Sequence, residues 1–117
     1  MNINPENLAA IALEIVGSSG ASVGQVRIAR NDTRGIALRD GQVENVASDS
    51  STGLNVRVVH NGAWGFGATT EISEAGVRKA AAAALQMAKI SSAVSTDVVD
   101  LADEPVHGKV SWKLPVE

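Results

Sequence analysis

The apolar positions of this 117-residue chain change period twice. Near the start, Leu8, Ile11, Ala12 and Ile15 recur at helical spacing and form one stripe. Asn4 is placed to cap that helix, followed by Pro5, which has no amide to lose in a first turn, and Glu6, which suits the positive end of the helix dipole. The pattern predicts a helix over 5–16, ended by Gly17 and Gly20. Over 23–68 the period falls to two, and turn-forming residues cut the run into five strand-length pieces: 25–30, 34–39, 42–47, 53–60 and 63–68.

Asp40-Gly41 and Asn61-Gly62 are residue pairs that tolerate positive φ at both centres of a two-residue hairpin. A three-residue loop over 31–33 would set Val26 opposite Leu38 and Ile28 opposite Ile36. In the last hairpin, Val58 faces Gly65 and Val56 faces Gly67 on one side of the sheet. On the other side Val59 faces Trp64 and Arg57 faces Phe66. The glycine-bearing side admits close approach of another backbone, so a helix belongs there.

That helix follows directly. Ser73 is its N-cap, Ile72 and Val77 are spaced as a hydrophobic staple, and Val77, Ala80, Ala81, Ala84, Leu85 and Ala88 form its buried face over 74–92. The expected fold is α+β and two-layered: a mainly antiparallel five-stranded meander with the N-terminal helix and the Ala-rich C-terminal helix packed on one face. Residues 1–93 form this domain, and 94–117 read as an extended tail carrying Asp97, Asp100, Asp103 and Glu104.

Composition narrows the function. No cysteine is present, which removes disulfides, thiolate ligands and cysteine nucleophiles. Residues 1–93 balance eight basic against eight acidic side chains, so the net charge of −3 resides in the tail. Arg27, Arg30, Arg34, Arg39 and Arg57 fall in the strand region, but Asp32, Asp40, Glu44 and Asp49 are interspersed with them. That mixture argues against a nucleic-acid stripe. The chain starts without a basic and apolar leader and has no span-length apolar run, so the expected setting is cytoplasmic, with no membrane partner.

Catalytic motifs are not evident. His60 and His107 have no acid at ligand spacing, and the serines cluster at turn-like positions without a Gly-x-Ser-x-Gly elbow. The glycines of 62–67 return from a hairpin instead of opening a helix, unlike a phosphate loop. Catalytic, cofactor-binding and metal residues are therefore all assigned as none. The candidate interface or substrate-channel residues are Arg57, Val59, Trp64 and Phe66, since aromatic and arginine side chains dominate contact energies. A register slipped by one residue would instead make Trp64 and Phe66 the core.

Residues 53–69, GLNVRVVHNGAWGFGAT, together with Asp40-Gly41-Gln42-Val43-Glu44, resemble the N-terminal domain of the TldD/PmbA family, often labelled modulators of DNA gyrase. The order of both helices also matches, and Gly62 to Gly67 resembles the TldD branch more closely than PmbA. The resemblance implies a zinc metalloprotease of two domains that works as a dimer of homologous subunits, homo- or heterodimeric, on unfolded peptides. Its His-Glu-x-x-x-His and cysteine ligands lie downstream of the matched region, so zinc is expected in a full-length parent and hydrolysis is not expected of this chain alone. The ending over 112–117 resembles the family's linker, which makes the missing catalytic domain a partner of the aromatic patch and tail. An exposed sheet edge could accept an extended peptide as an added strand.

Two other readings remain: a self-sufficient protein–protein interaction module, and, less favoured by charge, a DNA or gyrase binder. A coding sequence that continues into a His-Glu-x-x-x-His segment separates the first reading from the module.

Overall fold

The structure, a computed structural model, describes residues 4–94, 96–102, 105 and 107–115. Helix α1 spans Pro5–Ser18, followed by strands β1 (Val23–Arg39), β2 (Gln42–His60) and β3 (Ala63–Thr69), then helix α2 (Glu74–Val94). Asn4 caps α1, its side-chain Oδ1 accepting from the Glu6 amide at 2.9 Å. The helix continues through Gly17, and Gly20, at φ +79°, turns the chain towards β1. Ser73 caps α2 by accepting from the Gly76 amide at 3.1 Å, and Ile72 packs against the core as the staple requires.

Both two-residue turns form as the sequence demands, with positive φ at Asp40, Gly41, Asn61 and Gly62. The hairpin of β2 and β3 has the unslipped register: Val58 faces Gly65, Val56 faces Gly67, Val59 faces Trp64 and Arg57 faces Phe66. Trp64 and Phe66 are thus on the side away from the helices. The helical side buries Leu54, Val56 and Val58 against Leu8, Ala12 and Val16 of α1 and Val77, Ala80, Ala84 and Leu85 of α2. An added Cβ at Gly65 would stand 1.9 Å from the Ala84 carbonyl oxygen, and one at Gly67 2.0 Å from that of Ala80. Bare glycine beneath small alanine lets α2 lie almost on the backbone of β3, and this contact replaces the bulky aromatic core that a 3% aromatic content cannot supply.

The sheet has three strands in the order β1-β2-β3, not five. Residues 31–33 make no turn: Asn31 faces Ser51, Asp32 faces Ser50 and Thr33 faces Asp49, so the chain runs straight through both polar stretches. Val26 accordingly faces Val56 and Ile28 faces Leu54, in place of the expected Leu38 and Ile36. The reason is cross-strand satisfaction of the polar residues. Asp32 accepts from the Ser50 hydroxyl at 2.6 Å and from Arg30 Nε at 3.3 Å. Asp32 and Ser50, turn-forming types that would have bonded to their own backbone, bond to each other across the ribbon.

The consequence is an arm. Every residue from 31 to 51 is exposed, and β1 and β2 leave the body as a two-stranded ribbon about 30 Å long at roughly 3.4 Å per residue. The radius of gyration is 18.9 Å, against about 13.4 Å for a compact chain of this length.

Beyond α2 the described residues have no regular structure, but they are held in place. The Val99 amide donates to the Gly62 carbonyl at 2.8 Å, and Lys109 Nζ lies 3.2 Å from Glu6 Oε2.

Candidate interaction face of the sheet

The side of the sheet opposite the helices is built from alternate residues of all three strands. β2 contributes Asn55, Arg57 and Val59, β3 contributes Trp64, Phe66 and Ala68, and β1 contributes Val23, Gln25 and Arg27 as their paired neighbours. All four sequence-predicted residues are therefore brought together. The rings of Trp64 and Phe66 stack with centroids 5.9 Å apart and planes 13° from parallel, and Arg57 Cζ lies 4.9 Å from the Trp64 centroid. A guanidinium over an indole is held by the ring quadrupole, so Arg57 and the two rings form one ordered group. Arg57 Nη2 also donates to Gln25 Oε1, tying the group to β1.

Exposure is graded along this face. Phe66 is 52% exposed, Trp64 is half-buried, and Val59 is buried at 1%. Val59 loses its solvent because Val99, Leu101 and Ala102 cross the hairpin end and wall a groove of about 690 Å³ with Val23, Gln25, Arg57 and Trp64. A second groove, of about 770 Å³, runs over Gln25, Arg27, Asn55, Arg57, Phe66 and Ala68. Sequence reasoning missed Val23, Gln25 and Arg27 because the five-strand register paired the first strand elsewhere. The alternation of polar Gln25 and Arg27 with apolar Val26 and Ile28 carried that signal.

The charges here differ from those on the arm. Arg30 pairs with Asp32 at 3.3 Å and Arg39 with Glu44 at 3.8 Å, whereas Arg27 and Arg57 make no ion pair with any of the described residues. Asp100 of the crossing segment is the one acid lining either groove among the described residues. The face thus offers guanidinium donors, an amide pair in Gln25 and Asn55, and an open ring face on Phe66, a set that recognises carboxylates, peptide amides and apolar side chains.

The neighbouring edge of β3 is also partly open. His60 and Ala63 close a two-residue hairpin, so the alternation of bonds directs the backbone groups of Trp64, Phe66 and Ala68 outwards. The Phe66 amide meets Met87 Sδ at 3.4 Å, a weak acceptor.

Among the described residues no three His, Asp or Glu side chains converge. His60 Nε2 lies 3.2 Å from the Ser19 carbonyl, joining the end of β2 to the end of α1, and His107 is exposed in the tail. No helix among the described residues is long and apolar enough to cross a membrane.

The profile described as PmbA/TldA metallopeptidase domain 1 matches residues 24–88, more than half of the chain. A metalloprotease of Methanocaldococcus jannaschii is 35% identical over 78 residues, covering 67% of this chain and 17% of the relative. A metalloprotease of Methanothermobacter thermautotrophicus is 30% identical over 98 residues, covering 84% of this chain and 20% of the relative. The chain therefore spans a fifth or less of the length of these relatives. With a helix-backed antiparallel sheet matched across its strands and most of α2, and with no metal-binding group among its described residues, the chain belongs to the PmbA/TldD metallopeptidase family, of which it represents domain 1.

Proposed function

We propose that this chain is the non-catalytic first domain of a TldD-like zinc metalloprotease of the cytoplasm, and that its open sheet face contributes substrate-channel and assembly surface for unfolded peptides. The observation that carries this reading is the ordered row Arg57–Trp64–Phe66, held on a sheet face that the domain's own helices leave uncovered. Rigid aromatic and arginine groups bind a partner with little loss of side-chain entropy. The open edge of β3 beside them supports binding of a segment in extended form. Zinc and the catalytic residues belong to the missing catalytic domain, and a homologous subunit completes the assembly. Residues 94–117 serve as the linker to that domain.

The test combines two measurements. Replacing Trp64 and Phe66 by Ser is expected to abolish binding of an unstructured 15-residue peptide while the far-UV spectrum and cooperative unfolding persist. Loss of folding would instead make the pair part of the core and end this reading. Metal analysis with a peptidase assay is expected to find bound zinc and cleavage in the full-length parent and neither in this chain; cleavage by this chain would contradict the assignment.

A further inference from the structure

The larger groove of the open face carries two guanidiniums, and no acid lines it among the described residues. Four side chains of β1 and β2 form its polar part. Gln25 faces Arg57 and Arg27 faces Asn55, so each guanidinium stands opposite an amide and diagonal to the other guanidinium. All four are exposed. Diagonal positions on one face of a sheet are about 7–8 Å apart, so two long arginine side chains rooted there can reach a single ligand group. Like charges this close repel, and neither arginine has an ion pair with a described residue to relieve it.

The hydrogen-bonding sense is as one-sided as the charge. A guanidinium can only donate, so Gln25 turns its Oε1 to Arg57 Nη2 and keeps its amide nitrogen, a donor, for a ligand. The group that fits is planar, anionic and acceptor-only, which describes a carboxylate. The third strand sets what accompanies it. Phe66 faces Arg57 and Ala68 faces Asn55, so an apolar floor lies beside the arginines. Strands are spaced about 4.8 Å apart, which puts the midline between β1 and β2 about 7 Å from β3. An extended peptide advances about 7 Å in two residues and returns its side chains to the same face. A peptide crossing the strands therefore sets a carboxylate over Arg27 and Arg57 and the side chain two residues away on Phe66. The chain's own crossing segment has this chemistry at the other end of the face, where Asp100, between Val99 and Leu101, shares the second groove with Arg57 and Trp64.

We propose that Arg27 and Arg57 form a site for a side-chain carboxylate, and that the open face selects extended acidic peptides in which Asp or Glu lies two residues from a large apolar residue. Arg57 is already engaged with the Trp64 ring and with Gln25, so Arg27 is the residue whose removal isolates the selectivity. Phe66 supplies affinity common to acidic and neutral peptides. The proposal rests on the reading of this face as a peptide surface and adds the chemical class of peptide that it takes.

Fluorescence anisotropy of dye-labelled, Gly/Ser-rich peptides titrated with the full chain tests it. The peptides are blocked at both ends and differ only in a central Glu-Ser-Leu, Gln-Ser-Leu or Lys-Ser-Leu. The Glu peptide is expected to bind roughly fivefold to thirtyfold more tightly than the Gln peptide, the range that two exposed ion pairs span, and the Lys peptide more weakly than either. This preference should shrink at about 1 M salt, where screening extends over only about 3 Å. Arg27→Gln should remove most of the preference and leave the affinity for the Gln peptide unchanged, whereas Phe66→Ser should weaken both alike. Should Arg27→Gln fail to fold, the Glu-to-Gln ratio of the wild type and its salt dependence decide the matter. Equal binding of the Glu and Gln peptides, or an equal loss of both on Arg27→Gln, overturns the carboxylate site and leaves the peptide surface standing; no binding of any peptide overturns both. A Gln peptide with a free C-terminal carboxylate that binds as tightly as the blocked Glu peptide, or inorganic phosphate that displaces the Glu peptide at equal concentration, also overturns selection of an acidic side chain.

Discussion

Single residues decide how closely the layers approach. At Gly67 a methyl group would sit 2.0 Å from a backbone oxygen of α2, which no rotamer change relieves, so Gly67→Ala forces the helix off the sheet. A loss of about 2–4 kcal/mol is expected in denaturant unfolding, whereas Gly53→Ala, with nothing within 4 Å, should cost under about 1 kcal/mol. On the arm, the Ser50 hydroxyl bond, with the neighbouring Arg30, holds the Asp32 carboxyl below its ordinary 3.8 despite some desolvation. A carboxylate depressed in the folded state adds stability above its unfolded pKa and loses that contribution as pH falls through the folded value. Titration of Asp32 by NMR should therefore give a midpoint below 3.8, and Ser50→Ala should move it up. The candidate face was legible at this scale because Asn61-Gly62 fixes its own register, which placed Arg57, Val59, Trp64 and Phe66 without tertiary information. The share of β1 in that face was not, since it depends on pairing across 32 positions, Gln25 with Arg57.

Among the elements, the helices and the last hairpin follow from local signals: a cap, a staple, a periodic alanine face and a turn dipeptide. The long strands do not. Asn31-Asp32-Thr33 and Ser48-Asp49-Ser50-Ser51 read as loops because each segment alone favours turns, and only their mutual pairing makes them strand. The arm should therefore be dispensable to the body. A chain in which Thr33 is joined to Asp49 through Asn-Gly keeps a paired closing position, and it is expected to retain cooperative unfolding. In the intact chain, amides of residues 34–47 should exchange far faster than those of 54–59, which lie beneath both helices.

For the molecule as a whole, a helix-backed body presents two surfaces that its own helices leave open: the arginine–aromatic face and the arm tip. The matched metallopeptidase relatives are at least five times as long as the aligned segment. The most direct measurement is an NMR titration of the ¹⁵N-labelled chain with an unstructured peptide, with peptide integrity followed in the same tube. Shifts are expected at the Trp64 indole and at the backbone amides of Arg57, Phe66 and Ala68, with Val77, Ala81 and Ala84 of α2 unmoved and the peptide intact. Cleavage of the peptide, or an unperturbed Arg57–Trp64–Phe66 row at saturating peptide, would contradict a non-catalytic, peptide-holding first domain.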